Sequence, residues 1–223
     1  MKRYLPLVII GAVALATLGS AAMLYRAKRL PAFAVTENQD RAGTAATEPM
    51  HVLGRLSALV TIEEFGDFQC PPCGMLSEPI NQLERDYQSR LCVIFRQFPL
   101  RMHEHAQEAA LASEAAGVQG RFWQMHDVLY REQSVWSKAA DVRPLFNSYA
   151  AMLGLNVDRF SKDMESDAVK RRVAADQEQG ERLGVTVTPT IFLNNRALPA
   201  AAADPAALRA AVEAAMDVKS PGS

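Results

Sequence analysis

Cys70 and Cys73 enclose two prolines and stand directly between an apolar run, Leu59 to Phe65, and a helical pattern. Thiols at this spacing can close a small disulfide ring. At the start of a helix the first thiol also meets free backbone N–H groups and the positive end of the helix dipole, which favour a thiolate. The pair reads as a redox couple, with a structural disulfide or half of a metal site as the competing readings. A zinc site normally draws on a second pair of Cys or His ligands at matching spacing. The third cysteine, Cys92, stands alone in an apolar run and reads as a packed thiol, though the odd count leaves an intermolecular link open. His103 and His105 invite a metal reading, but their spacing puts them on different faces of a helix, and structural roles are expected. No metal site is assigned. Glu63 and Glu64 are neighbours on the apolar run, so strand alternation points them to opposite faces. A carboxyl buried there without a partner would have a raised pKa and could pass protons near neutral pH.

These residues need elements to hold them. Leu59 to Phe65 and Leu91 to Phe95 are β-rich and apolar, as expected of strands buried on both faces. Between them Met75, Leu76, Pro79, Ile80, Leu83 and Tyr87 recur at three- and four-residue steps and predict one helix with a single core face. Together they make a right-handed β-α-β unit with a parallel strand pair. From about 103 to 183 the chain is expected to be helical almost throughout. An alanine-rich helix stops at Gly117 and Gly120, a second carries Phe122, Met125, Val128 and Leu129, and a third carries Leu145, Tyr149, Met152 and Leu153. Ala168 to Leu183 reads as a helix with a solvated charged face. Phe122, Trp123 and Trp136 are expected in the core or the groove walls of this helical part. Val185 to Leu193 predicts a strand, with Asn194-Asn195 turning into a short return strand. A final helix from about Asp204 to Met216 carries Leu208, Val212 and Met216 on its apolar stripe.

With 223 residues, 49% hydrophobic and 22% charged, the chain has material for one ordinary globular domain and is neither disordered nor fibrous. A formal net charge of -1 and the lack of a basic run argue against nucleic-acid binding. Lys2 and Arg3 precede an uncharged stretch, residues 5–24, which as a helix would span about 30 Å, the thickness of a bilayer core. That is longer than the apolar part of a cleaved signal peptide. Residues 1–30 are therefore expected to be a signal anchor and transmembrane helix. Residues 31–50 are expected to be a flexible tether, 51–217 the folded domain and 218–223 a disordered tail. Flanking positive charges balance and do not set the orientation. Disulfide chemistry persists outside the cytosol, which favours an exported domain.

The combined pattern resembles the DsbA-like branch of the thioredoxin superfamily. The resemblance rests on Glu64-Phe65-Gly66-Asp67-Phe68-Gln69-Cys70-Pro71-Pro72-Cys73, on Phe98-Pro99-Leu100 and His105-Ala106, and on Gln119-Gly120-Arg121-Phe122-Trp123-Gln124-Met125-His126-Asp127. At the C-terminal end it rests on Gly184-Val185, Thr188-Pro189-Thr190 and Phe192-Leu193-Asn194. It covers about residues 51 to 217. It implies an α/β thioredoxin fold, a central mixed sheet flanked by helices, with an all-helical insertion at about 101–183. It also implies Cys70 as the exposed attacking thiol, Cys73 as its buried partner, and a cis Thr188-Pro189 peptide facing them, with Thr188 and Pro189 meeting the substrate peptide. Glu64 matches a buried acidic position that relays protons. The active-site dipeptide Pro71-Pro72 supplies no side-chain donor, and Pro72 no N–H, so a more moderate potential is expected than where this dipeptide holds histidine.

The resemblance thus implies an enzyme with no cofactor: a membrane-tethered, exported thiol:disulfide oxidoreductase, net oxidase favoured, in the periplasm or a comparable space. Its partners would be cysteine-containing client proteins and a further redox protein that resets the pair. A monomer is expected, and oxidase stands ahead of isomerase because an isomerase would be expected to have a dimerisation domain before the catalytic one, for which about twenty tether residues leave no room. An isomerase or reductase of the same fold, and a module that holds copper or zinc through Cys70 and Cys73, are the alternatives.

Overall fold

The computed structural model describes residues 51–218. The expected membrane helix (1–30), the tether (31–50) and residues 219–223 of the tail lie outside the described residues. Among the described residues no helix is long and apolar enough to cross a membrane.

Five strands form one mixed sheet: β1 (His51–Gly54), β2 (Val60–Gly66), β3 (Leu91–Gln97), β4 (Thr190–Leu193) and β5 (Arg196–Ala197), in the order β1-β3-β2-β4-β5. β2 and β3 are parallel, with Ile62 opposite Val93 and Glu64 opposite Phe95, while the β1·β3, β2·β4 and β4·β5 pairs are antiparallel. Every residue of β3 is buried, as its neighbours on both sides and covered faces require. The parallel pair needs a crossover, which α1 (Pro71–Tyr87) supplies.

Along α1 the buried stripe is Cys73, Leu76, Ile80 and Leu83, at steps of three and four. It packs with Val60, Ile62, Leu91 and Val93 and with Leu208, Val212 and Met216 of α8 (Pro205–Val218). Fully burying each aliphatic side chain of this layer contributes about 1.5–3 kcal/mol. The stripe corrects one expectation. Met75 is 67% exposed, because Cys73 rather than Met75 occupies the core position of the first turn.

Between β3 and β4 lie six helices: α2 (Ala106–Val118), α3 (Phe122–Arg131), α4 (Gln133–Trp136), α5 (Arg143–Met152), α6 (Val157–Glu165) and α7 (Asp167–Arg182). Their shared core contains Met125, Leu129, Trp136, Phe146 and Phe160, and it continues to Phe68, Phe95 and Cys73. Phe122 and Trp136 are in this core, and Trp123 packs against it, as expected. Met152 does not join them and is exposed, since Phe146, Tyr149 and Ala150 form the inward face of α5.

Two further expectations change. The region around residue 176 is not wholly solvated. Val169, Val173, Asp176 and Gly180 form a buried stripe on α7, and Asp176 Oδ1 accepts from the buried Arg96 at 2.9 Å. Arg96 also donates to Glu63 at 2.8 Å, so a cation forced into β3 is matched by two carboxylates. His103 and His105 lie in turns just before α2, at the entry to the helical part. The strand expected from Val185 begins only at Thr190, because Pro189 has no N–H to offer a ladder. Asn194 and Asn195, with φ of 49° and 65°, make the two-residue turn between β4 and β5 in the left-handed conformation asparagine tolerates.

Candidate active site

Cys70 is the N-cap of α1, with φ -74° and ψ 118°, and Pro71 and Pro72 open the helix. Proline suits a first turn, where its ring presets φ and its missing N–H costs no helical bond. It also removes two of the free N–H groups that would face a thiolate at this end. The Cys70 N–H donates to the Asp67 carbonyl at 3.1 Å and its carbonyl receives the Gly74 N–H at 3.2 Å, fixing the turn into the helix. Cys73, one turn on, faces the core and is fully buried. All three cysteines are free thiols.

The structure brings the other expected residues to the same place. The Thr188-Pro189 peptide is cis. The Cys70 thiol donates to the Thr188 carbonyl at 3.3 Å. Pro71 and Pro72 are exposed, and Val187, on the other side of the thiol, is exposed as well. Cys70 itself differs from expectation: only 4% of its surface is accessible, because the segment around Thr188 lies over it. Glu64 is buried on the face of β2 shared with Ile62, and one of its oxygens has no partner. Glu63 points the other way, to Arg96.

The electrostatics separate the two thiols. The Cys70 pKa is lowered to about 6, chiefly by the hydrogen bond from the Cys73 thiol, with Thr188 and the Cys73 backbone N–H adding to it. Burial and the Asp67 carboxylate oppose this. Thr188 Oγ1 is buried without a partner while Cys70 is protonated, and so is a donor in reserve for the anion. The leading stabiliser is thus the neighbouring thiol rather than the helix end, as the two prolines would require. Cys73 is pushed far up, first by burial, then by giving its hydrogen bond to Cys70 and by the Glu64 charge. Glu64 is raised to about 8 by burial, with a smaller contribution from the Cys70 charge. At neutral pH the arrangement therefore holds Cys70 as thiolate, Cys73 as thiol and Glu64 as neutral acid.

Four residues without a role in the sequence reading frame this site. Asp67, fully buried, accepts from Gln69 N at 2.7 Å, Leu100 N at 2.9 Å and pairs with His103 Nδ1 at 2.7 Å. Gln69 Oε1 accepts the His105 N–H at 2.6 Å. Gln133 of α4 reaches the carbonyls of Phe68 and Cys70. The Tyr130 hydroxyl, buried without a partner, lies where a side chain at Gly66 would meet it at 3.1 Å, two residues along β2 from Glu64. The polar residues between Phe65 and Cys70 were visible in sequence as departures from an apolar run. Gln133 gave no such signal.

Cys92 is buried in β3, and burial pushes its thiol up. His105 Nε2 is 2.9 Å from the Ala139 carbonyl, and His103 is held by Asp67. Both histidines join loops to the helical part.

Comparison with known proteins sets this geometry in context. A sequence model of the family described as Thioredoxin matches residues 46–214. BdbD from Bacillus subtilis, in its oxidised form, superposes with a TM-score of 0.65 at 23% identity, covering 74% of this chain and 92% of that one. Alpha-DsbA1 from Wolbachia pipientis gives a TM-score of 0.64 at 18% identity, covering 75% and 91%. The Na(+)/H(+) antiporter NhaA 1 of Mycolicibacterium gilvum (strain PYR-GCK) is 36% identical over 151 residues, 66% of this chain but 23% of the antiporter. The chain thus spans about a quarter of the length of that relative, and the likeness concerns a segment of it. The fold is shared with BdbD and alpha-DsbA1 over about three quarters of this chain, and with the family model matched from residue 46 to 214 the chain belongs to the thioredoxin family.

Proposed function

We propose that this chain is a membrane-tethered, exported oxidoreductase that exchanges disulfides with cysteine-containing proteins through Cys70 and Cys73, running in the net direction of client oxidation. The observation that carries this reading is the division of labour between the thiols, one held near pKa 6 and its neighbour pushed far up. A thiol that ionises readily is a good leaving group, and stabilising it stabilises the reduced enzyme, which makes the disulfide form an oxidant.

Starting from the Cys70–Cys73 disulfide, a client thiolate attacks Cys70 Sγ. The bond between the two enzyme sulfurs breaks, and its electron pair leaves on Cys73. Cys73 does not remain an anion in its buried setting, so it takes a proton, which neutral Glu64 supplies. A second client thiolate then attacks the client's own sulfur in the mixed disulfide. The client leaves with its disulfide, two electrons poorer, and Cys70 departs as the thiolate. Glu64 regains its proton from solvent, and a second redox protein withdraws the two electrons from the enzyme. The Thr188 carbonyl, beside Cys70 and ahead of a proline with no N–H, offers an extended client backbone a place to pair.

Export is supported by the chemistry of the pair, which needs an oxidising compartment. The tether is supported by the uncharged residues 5–24 and by the kinship of this domain to a segment of proteins named for ion antiport, a membrane activity. Pro71-Pro72 removes donors from the thiolate, so the potential is expected between about -270 mV, typical of a reductant, and about -120 mV, typical of a strong oxidant. The test is the full chain equilibrated with glutathione and then offered a reduced two-cysteine peptide. Oxidation of the peptide, abolished by Cys70→Ser, supports the reading. No exchange, or exchange undiminished in Cys70→Ser, overturns it.

A further inference from the structure

Gln133 is the first residue of α4, in the helical insertion, yet its side chain ends inside the turn that presents Cys70. Its Nε2 donates to the Phe68 carbonyl at 2.6 Å and to the Cys70 carbonyl at 3.0 Å. One amide nitrogen has two N–H groups, and here both are committed to backbone oxygens on either side of Gln69. Its Oε1 faces α1 at Gly74, where a Cβ would lie 2.9 Å from Oε1 and 3.2 Å from Nε2, so the position beside the amide has to be side-chain-free. Gln69 answers in the other direction, giving its own amide to the Ser137 carbonyl just beyond α4 at 3.3 Å.

Resting on the redox reading above, we propose that Gln133 is a positioning residue for the reaction: its amide clamps the Phe68 and Cys70 carbonyls and thereby fixes the turn from which the reactive sulfur is presented. The clamp has two effects on that sulfur. It holds Cys70 in the extended N-cap conformation that places Sγ beside Cys73 and Thr188. It also gives the Phe68 carbonyl a donor and the Cys70 carbonyl a second one beside the Gly74 N–H, so that the turn keeps the geometry in which Cys73 and Thr188 reach the anion. Losing the amide therefore destabilises the thiolate more than the thiol.

The experiment follows the thiolate absorbance and iodoacetamide alkylation of Cys70 against pH in the reduced full chain, for wild type, Gln133→Leu and Gly74→Ala. Leucine keeps the bulk without the donors. Alanine at position 74, a better helix former than glycine, displaces the Gln133 amide while leaving it in the chain, and so decides the matter if Gln133→Leu does not fold. The expected result is a Cys70 midpoint near 6 in wild type. In both variants it should rise by about one unit, with alkylation at pH 6 slowed about fivefold, as the smaller thiolate fraction requires. Folding is checked by circular dichroism, which a merely structural role would change without moving the midpoint. A wild-type midpoint near 6 with unchanged midpoints in the folded variants overturns the role of Gln133 alone. A wild-type midpoint near that of an ordinary thiol overturns the redox reading and the clamp with it.

Discussion

Replacing Glu64 by glutamine separates what a buried carboxyl costs the fold from what it does for the chemistry. Burial raises the Glu64 pKa from 4.5 to about 8. Between those values the unfolded chain has lost the proton and the folded chain has kept it, so the folded state binds more protons and its stability falls as pH rises. Each pH unit in that window costs about 1.4 kcal/mol. The effect is absent below pH 4.5, grows through neutrality and levels off above pH 8. Glutamine cannot ionise and carries none of this dependence, although its buried amide brings a fixed penalty for unsatisfied donors of about 1–3 kcal/mol. That penalty cancels when the two proteins are compared at two pH values, as does the titration of Cys70, which both contain. Urea unfolding of the reduced chains at pH 5 and pH 7 should therefore show Glu64→Gln gaining about 3 kcal/mol on wild type between the two. In single-turnover oxidation of a client peptide at pH 7, the variant should lose on the order of 100-fold in the step that protonates Cys73, while alkylation of Cys70 keeps its rate. An unfolding difference that is the same at both pH values would refute the buried neutral acid. An undiminished single-turnover rate would refute the relay.

Other perturbations bear on the frame around the site. Arg96→Ala leaves Glu63 and Asp176 facing each other without their cation, and should cost about 3–5 kcal/mol in urea unfolding. Gly180→Ala would place a Cβ 2.7 Å from the Phe98 ring and 2.9 Å from Phe65, and should lower stability by about 1–3 kcal/mol because ring and helix backbone must both give way.

Much of this molecule was legible in the residues themselves. The β2-α1-β3 unit announced itself because its apolar positions alternate or recur at helical steps, and the cysteine pair because two thiols and two prolines at a strand-to-helix boundary have few other uses. What stayed hidden depends on partners far away in the chain. Asp176 looked solvated because its neighbours are charged, and only Arg96, 80 residues earlier, gives it a reason to be buried. The stripe Val169, Val173, Asp176, Gly180 was the available signal. Gln133 is an ordinary polar residue until its contact with Phe68, 65 residues away, is seen. Met75 misled because it is apolar and adjacent to the core residue Leu76, and one residue of shift rotates a side chain about 100° around the helix. Val185 to Pro189 misled because β-branched residues suggest a strand, while a proline without an N–H keeps the ladder from starting before Thr190. The accessibility of Cys70 was beyond reach, since it is set by the segment carrying Thr188, 118 residues on.

The central claim concerns one sulfur. Alkylation of the reduced full chain under pseudo-first-order conditions, with Cys73→Ala and Cys92→Ala variants run beside it to assign the reacting site, gives the ionisation of Cys70 directly. Because the Cys73 thiol is the main support of the anion, wild type should react with a midpoint near pH 6, and Cys73→Ala should shift that midpoint upward. A midpoint at an unperturbed thiol's value of about 8.5 in both proteins would contradict it.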